Sequence, residues 1–156
     1  MASFTGNPNQ QEASQFTTGM TGSCLCGSIT IRLDQENLFT KRNGHTCCCM
    51  NCRKLSGGLG VHAISTVVQN VTLSDPSGLE RVYVDTNTGS GGHISRHFCS
   101  VCSSPLFFST ASHPTMITVA LGLFPKAPVP EYEFFAGHRH EWQPGVEGVV
   151  AFETMP

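Results

Sequence analysis

The chain has 156 residues, a formal net charge of -2 and eight cysteines. That length supports one domain with a sizeable core. Charged residues make up only 13%, against the ~25% usual for soluble domains. The near-neutral balance gives no basic footprint for nucleic acid, and no apolar run approaches the roughly 20 residues of a membrane span. The 16 glycines and 9 prolines predict many turns and few long helices.

In chain order, Met1 to Thr21 comes first. It is polar, rich in Gln, Asn, Thr and Ser, and lacks arginine. It has neither the basic start nor the apolar run of a signal peptide, and its composition predicts a disordered tail over residues 1–20. Residues 21–156 then read as one domain. A cytosolic chain keeps its thiols reduced, so the even cysteine count is not read as a disulfide framework. The segment Ser28 to Leu33 alternates as a strand does, and Val61 to Val68 is β-branched and reads as another. Val71 to Leu73, Arg81 to Val84, Ile94 to Phe98 and Leu106 to Phe108 are shorter strand candidates. Met116 to Leu123 is the longest apolar run and suits a buried strand, followed by Tyr132 to Phe135 and Val149 to Phe152. Ser56-Gly57-Gly58, Asp75-Pro76-Ser77-Gly78, Thr88 to Gly92 and Pro144-Gly145 punctuate them. No amphipathic helix exceeds two turns. Short strands at this spacing predict an all-β domain of antiparallel sheets.

The cysteines fall into three clusters: Cys24 and Cys26, then Cys47, Cys48, Cys49 and Cys52, then Cys99 and Cys102. Thiolates two and three residues apart are the ligand pattern of tetrahedral zinc. In extended backbone, residues i and i+2 share a face, so Cys24 and Cys26 can meet one ion, and Cys99 and Cys102 complete an S4 set with them. Cys47, Cys49 and Cys52 supply three thiolates from six residues and leave one coordination position for water, a substrate oxygen or a substrate thiolate. Three other readings compete. A disulfide scaffold requires an oxidising compartment. An iron–sulfur centre uses an overlapping ligand list. A pair of purely structural zinc ions stabilises the fold and catalyses nothing.

The motifs also resemble a known family. Gly22-Ser23-Cys24-Leu25-Cys26-Gly27 matches a G-x-C-x-C-G opening. Cys47 to Cys52 followed by Arg53-Lys54-Leu55-Ser56-Gly57 matches C-x-C-x-x-C-R-K-x-S-G. Ser90-Gly91, then Arg96-His97-Phe98-Cys99-Ser100-Val101-Cys102, matches a Ser-Gly turn and R-x-F-C-x-x-C. In this order, from about Met20 to Trp142, the chain resembles the glutathione-dependent formaldehyde-activating enzymes, which include the centromere protein V relatives. The resemblance implies an all-β fold of the β-tent type. It implies a structural zinc on Cys24, Cys26, Cys99 and Cys102 and an active-site zinc on Cys47, Cys49 and Cys52. It also implies a carbon–sulfur lyase-type activity joining glutathione to formaldehyde, so the expected partner is a small molecule, with neither nucleic acid nor membrane. The substrate can instead be another small electrophile or metabolite, and a non-catalytic zinc module that binds a protein is the rival from outside enzymology.

Two positions depart from the pattern. Cys48 stands where the family usually has His, and alternation turns it away from the ligand face; packing, a supporting role and nucleophilic reactivity are all open to it. Ser103 stands where Gly commonly follows the last cysteine, a small change unless the turn needs a positive φ. Arg53 is placed to lower thiolate pKa values or to bind a substrate carboxylate. His62, His93, His97 and His113 read as structural. His140 and Glu141 are candidate acids or bases beside His138, and Trp142 reads as a lid or core anchor.

Overall fold

The computed structural model describes residues 6–156. The first five residues of the expected tail lie outside that range. After them, Pro8–Gln10 and Ala13–Phe16 form 3-10 turns. Phe16 packs beside Phe39 against the core, and Lys126 Nζ donates to the Pro8 carbonyl at 3.0 Å. No helix of the described residues is long and apolar enough to cross a membrane.

Among the described residues the strands are β1 (Met20–Ser23), β2 (Thr30–Leu33), β3 (His45–Cys47), β4 (Val61–Val67), β5 (Val71–Ser74), β6 (Glu80–Asp85), β7 (Ile94–Cys99), β8 (Pro105–Ser109), β9 (Met116–Ala120), β10 (Tyr132–Phe134) and β11 (Val150–Ala151), with one α-helix, α1 (Met50–Ser56). They build a small sheet, β1-β2-β5, and a large one, β11-β10-β3-β4-β9-β8-β7-β6. Alternation in the small sheet turns Met20, Ile31 and Leu33 inward. They meet Ile64, Leu106, Ile117 and Val119 from the large sheet in one continuous core. Full burial of an aliphatic side chain is worth about 1.5–3 kcal/mol, so this seam between the sheets is the main source of stability. It also leaves the other face of the large sheet available for a site.

The all-β expectation holds, with differences in detail. The sheets are not wholly antiparallel, because β10 runs parallel to both β3 and β11. The apolar run from Met116 ends as a strand at Ala120, and Leu121–Leu123 tightens into a 3-10 turn. Strands β1 and β3 and helix α1 were not anticipated. The helix starts where Cys49 Sγ accepts the Cys52 N–H at 3.4 Å and stops at Gly57, whose left-handed φ of 67° lets its N–H return to the Arg53 carbonyl. Sulfur capping at one end and glycine at the other hold a seven-residue helix that propensity alone does not support.

Ser103 also adopts a left-handed conformation, φ 61°, with its N–H donating to the Cys99 carbonyl at 2.8 Å. The turn after the last cysteine therefore does need a positive φ, which costs a residue with a Cβ about 1–2 kcal/mol. The expected result for Ser103→Gly is a net gain of about 1 kcal/mol, part of the relief being offset by glycine's greater unfolded-state freedom. A thermal melt a few degrees higher checks it.

Candidate metal centres and the adjoining cleft

The first and third cysteine clusters meet. Cys24 and Cys26 lie in the turn between β1 and β2 rather than in extended backbone, and Cys99 closes β7 with Cys102 in the turn beyond. The four sulfurs lie within 4.8 Å of one another, with Cys24–Cys26 at 3.4 Å and Cys26–Cys99 at 3.8 Å. Metal–sulfur bonds of ~2.3 Å at tetrahedral angles put sulfurs about 3.8 Å apart, so the set fits one ion without rearrangement. Ile29 N–H donates to Cys24 Sγ at 3.3 Å, and Ser104 Oγ bridges the two loops, accepting from Leu25 N–H at 2.9 Å and lying 3.3 Å from Cys102 Sγ. Burial pushes the Cys24 thiol up to about 11, so a cation is what lets this set ionise together. A hollow of about 830 Å³ runs past Cys24 and Cys26, but four thiols complete the tetrahedron and leave no position for a ligand.

The middle cluster forms a second group. Cys47 sits at the end of β3, Cys49 caps α1 and Cys52 lies in its first turn, and their sulfurs also fall within 4.8 Å of one another. Sulfur–sulfur hydrogen bonding from Cys47 holds the Cys49 thiol far below its ordinary value, and the same contact pushes Cys47 far up. Three adjacent thiols that perturb one another in this way are the donor chemistry a soft metal ion resolves. All eight cysteines are free thiols. Each of the two groups can hold a metal ion.

The three-thiol group, which unlike the other lacks a fourth thiol, faces a cleft of about 680 Å³. Its floor is the outer face of the large sheet. Strand register lays Phe134, Cys47 and Val61 side by side, with Tyr132, His45 and Ala63 in the next row. Arg96 projects from β7 into the cleft, 5% exposed, over the Phe108 ring. Its Nε and Nη2 both reach Asp85 Oδ2, at 2.8 and 2.7 Å. Burial works against the Arg96 charge, but Asp85 and Cys52 outweigh it and raise its pKa. Asn51 Nδ2 donates to the same Asp85 oxygen and to the Asn87 carbonyl, tying α1 to β6 and to the loop bearing Ser90. His45 is pushed down to about 4 by burial and by His62, so it stands in the cleft as a neutral imidazole.

The sequence profile of the family described as glutathione-dependent formaldehyde-activating enzyme matches residues 19–138. The chain belongs to this family. A curated relative from Halomonas elongata, named "Putative glutathione-dependent formaldehyde-activating enzyme", is 29% identical over 102 residues, covering 63% of this chain. The chain spans 60% of that relative's length. A Rhodobacter sphaeroides protein of known crystal structure superposes with a TM-score of 0.51 at 18% identity, covering 85% of this chain and 98% of its own. That likeness speaks for the fold.

Within this formaldehyde-activating family member, the expected site residues divide. Cys47, Cys49 and Cys52 come together at the cleft. Cys48 does not join them: it is fully buried on the opposite face, its Sγ 3.5 Å from Glu133 Oε1, and burial followed by the Glu133 charge pushes it up to about 11. Arg53 also lies off the cleft, with Nη1 2.9 Å from His140 Nε2 and Nη2 against Met50 Sδ. Trp142 is no core anchor. It is 69% exposed and stacks on the His140 ring. His97 is structural, paired with Glu80 and stacked on Phe107, whereas His93 and His113 line the cleft. Sequence reasoning passed over His45, Asn51, Asp85 and Phe135. It quoted Arg96 only as part of a motif, and that arginine's alternation with Phe98 and Ile94 was the one available signal that it points to a common face.

Proposed function

We propose that this chain is a zinc-dependent enzyme of the carbon–sulfur lyase class that joins a thiol to a small carbonyl compound, glutathione and formaldehyde being the pair its family is described by. In this reading Cys24, Cys26, Cys99 and Cys102 hold a structural zinc, and Cys47, Cys49 and Cys52 hold the working one. The observation that carries it is the contrast between a complete four-thiol set and a three-thiol set opening onto a cleft. A non-catalytic zinc module has no use for an incomplete set placed at a cavity.

Zinc bound at the three thiols supplies a soft electrophilic centre that holds a thiolate or polarises a carbonyl. The chain's own residues do the rest. Arg96 stands beside Cys52 and balances the charge of the thiolate cluster. His45, half-buried and neutral, lines the cleft beside Cys47 but is too weak a base to hold the thiol proton, which the charge of a bound metal ion would release. The aromatic wall keeps water from the reacting atoms, and the cleft holds both partners, turning a two-body addition into one within the site. The atoms balance without an oxidant: a carbon–sulfur bond forms, the carbonyl π bond breaks, and the thiol proton ends on the carbonyl oxygen. Cys48 and Arg53 support the cluster from behind and do not touch substrate. The reaction belongs in a reducing cytosol, which suits eight free thiols.

Glutathione titrated into the protein with formaldehyde, followed by exchange NMR, tests the reading. Acceleration of adduct exchange that disappears in Cys49→Ser is the expected result. Neither binding nor acceleration, with the middle metal still present, rejects glutathione as the thiol.

A further inference from the structure

The walls of the cleft carry chemistry that the proposed reaction does not by itself require. Among the described residues lining it, Arg96 is the one Lys or Arg, and there is neither Asp nor Glu. Arg96 is committed: two of its nitrogens are bound by Asp85, and it lies against Cys52. The remaining wall is largely aromatic, with hydroxyls and the rings of His93 and His113. It includes Phe108, Tyr132, Phe134, Phe135 and the ring of His45, tilted against Phe134 at 5.0 Å between centroids. The rim hydroxyls of Ser65 and Thr118 satisfy each other at 2.9 Å.

Phe135 adds a second, independent sign. It is buried yet holds a left-handed φ of 56°, a conformation that is an outlier for a bulky side chain and that persists where surrounding structure over-determines it. Gly89 provides that structure. A Cβ there would lie 2.8 Å from the Phe135 ring, so the ring is wedged against the Ser90 loop and presented to the cleft. Such outliers cluster at ligand and active sites, and this one lies in the cleft wall.

Glutathione brings two carboxylates and an ammonium, and this wall has no Lys or Arg free of a partner and no carboxylate to receive them. Formaldehyde is far smaller than the space. We propose that the cleft takes an uncharged, ring-bearing compound, which lies against Phe108, Phe134 and Phe135 and brings its reacting thiol or carbonyl to the Cys47, Cys49 and Cys52 centre. The proposal rests on the reading above, that this centre holds a metal ion with a free position. Specificity follows from burial of the ring, and unpaired charge weakens the binding of glutathione without abolishing it.

The test uses the full chain loaded with cobalt(II) in both thiol groups. A fourth thiolate joining the three-thiol set changes the visible cobalt spectrum, while the four-thiol set contributes a constant background. Benzyl mercaptan, 2-mercaptoethanol and glutathione are titrated separately. Benzyl mercaptan is expected to half-saturate at a concentration about tenfold or more below 2-mercaptoethanol, the advantage a buried ring carries, with glutathione no better than 2-mercaptoethanol. Glutathione binding as tightly as benzyl mercaptan overturns the proposal and leaves the metal-thiolate reading standing. A cobalt spectrum that none of the three thiols moves overturns that reading and this proposal with it. Ser65→Lys, a change at an exposed rim hydroxyl, supplies the missing cation and is expected to narrow the gap by improving glutathione several-fold. An unchanged ratio shows that wall charge does not set the choice and overturns the proposal.

Discussion

Cys99→Ser is expected to lower the melting temperature by about 10 °C or more, while Cys49→Ser lowers it by only a few degrees, given a metal contribution of several kcal/mol and the usual size scaling. The difference follows from what each group joins. Cys99 is fully buried at the end of β7, and its set ties the β1–β2 turn to the β7–β8 turn across 73 residues between Cys26 and Cys99. A metal ion closing such a loop supplies stability that net burial in a domain of this size, about 5–15 kcal/mol in total, cannot replace. The middle group closes only a six-residue segment. Serine at position 49 also remains a good helix N-cap, able to accept the Cys52 N–H that Cys49 Sγ now accepts. Thermal melts of the two variants, each with its metal content measured, decide the matter. Equal losses contradict the division of the two groups into clamp and working site.

The second large effect is at the Asp85–Arg96 pair, whose side chains are 8% and 6% exposed. Removing one member of a buried pair strands the other charge and costs about 3–5 kcal/mol. Asp85→Ala is therefore expected to lose roughly 3 kcal/mol or more in chemical denaturation, and Asp85→Ala with Arg96→Met to recover part of it, because the double change leaves no unpaired charge. A loss below about 1 kcal/mol, the value of an exposed pair, contradicts this account. The pH dependence has a definite sign. Burial opposes the Asp85 charge, but hydrogen bonds from Asn51 and Arg96 outweigh it and hold its carboxyl below the ordinary carboxylate range. The pair's contribution is accordingly complete above the unfolded carboxylate pKa and is lost as pH falls through the depressed folded value. Only the double change removes Arg96, the group that balances Cys52, so its activity falls more steeply than its stability.

The cysteine groups were legible in the sequence because short spacing constrains thiols directly: residues two or three apart meet one ion in almost any turn. The turn at Cys24 and Cys26 shows this, since the grouping held although the backbone there is not extended. Strands β4 and β9 were legible for a similar reason, their β-branched composition being local. The parallel pairing of β10 with β3 was not, because no local pattern says which distant strand will be a neighbour. Helix α1 was hidden by its own function: two of its polar-looking positions, Asn51 and Cys52, serve the site rather than an amphipathic stripe, and its N-cap is a cysteine. The cleft wall was hidden more completely. His45, Arg96, Phe108 and Phe134 come from four strands and become one surface only through sheet register, and nothing about a phenylalanine announces the left-handed φ of Phe135.

The central claim is that eight thiols divide into a complete metal clamp and an incomplete metal site facing a cleft. Metal analysis of protein purified without added metal tests it most directly. The account predicts about two zinc ions per chain, from one four-thiol and one three-thiol set, falling to about one in Cys49→Ser with the fold retained. Iron with visible colour, or metal-free protein with its cysteines paired in disulfides, would contradict it.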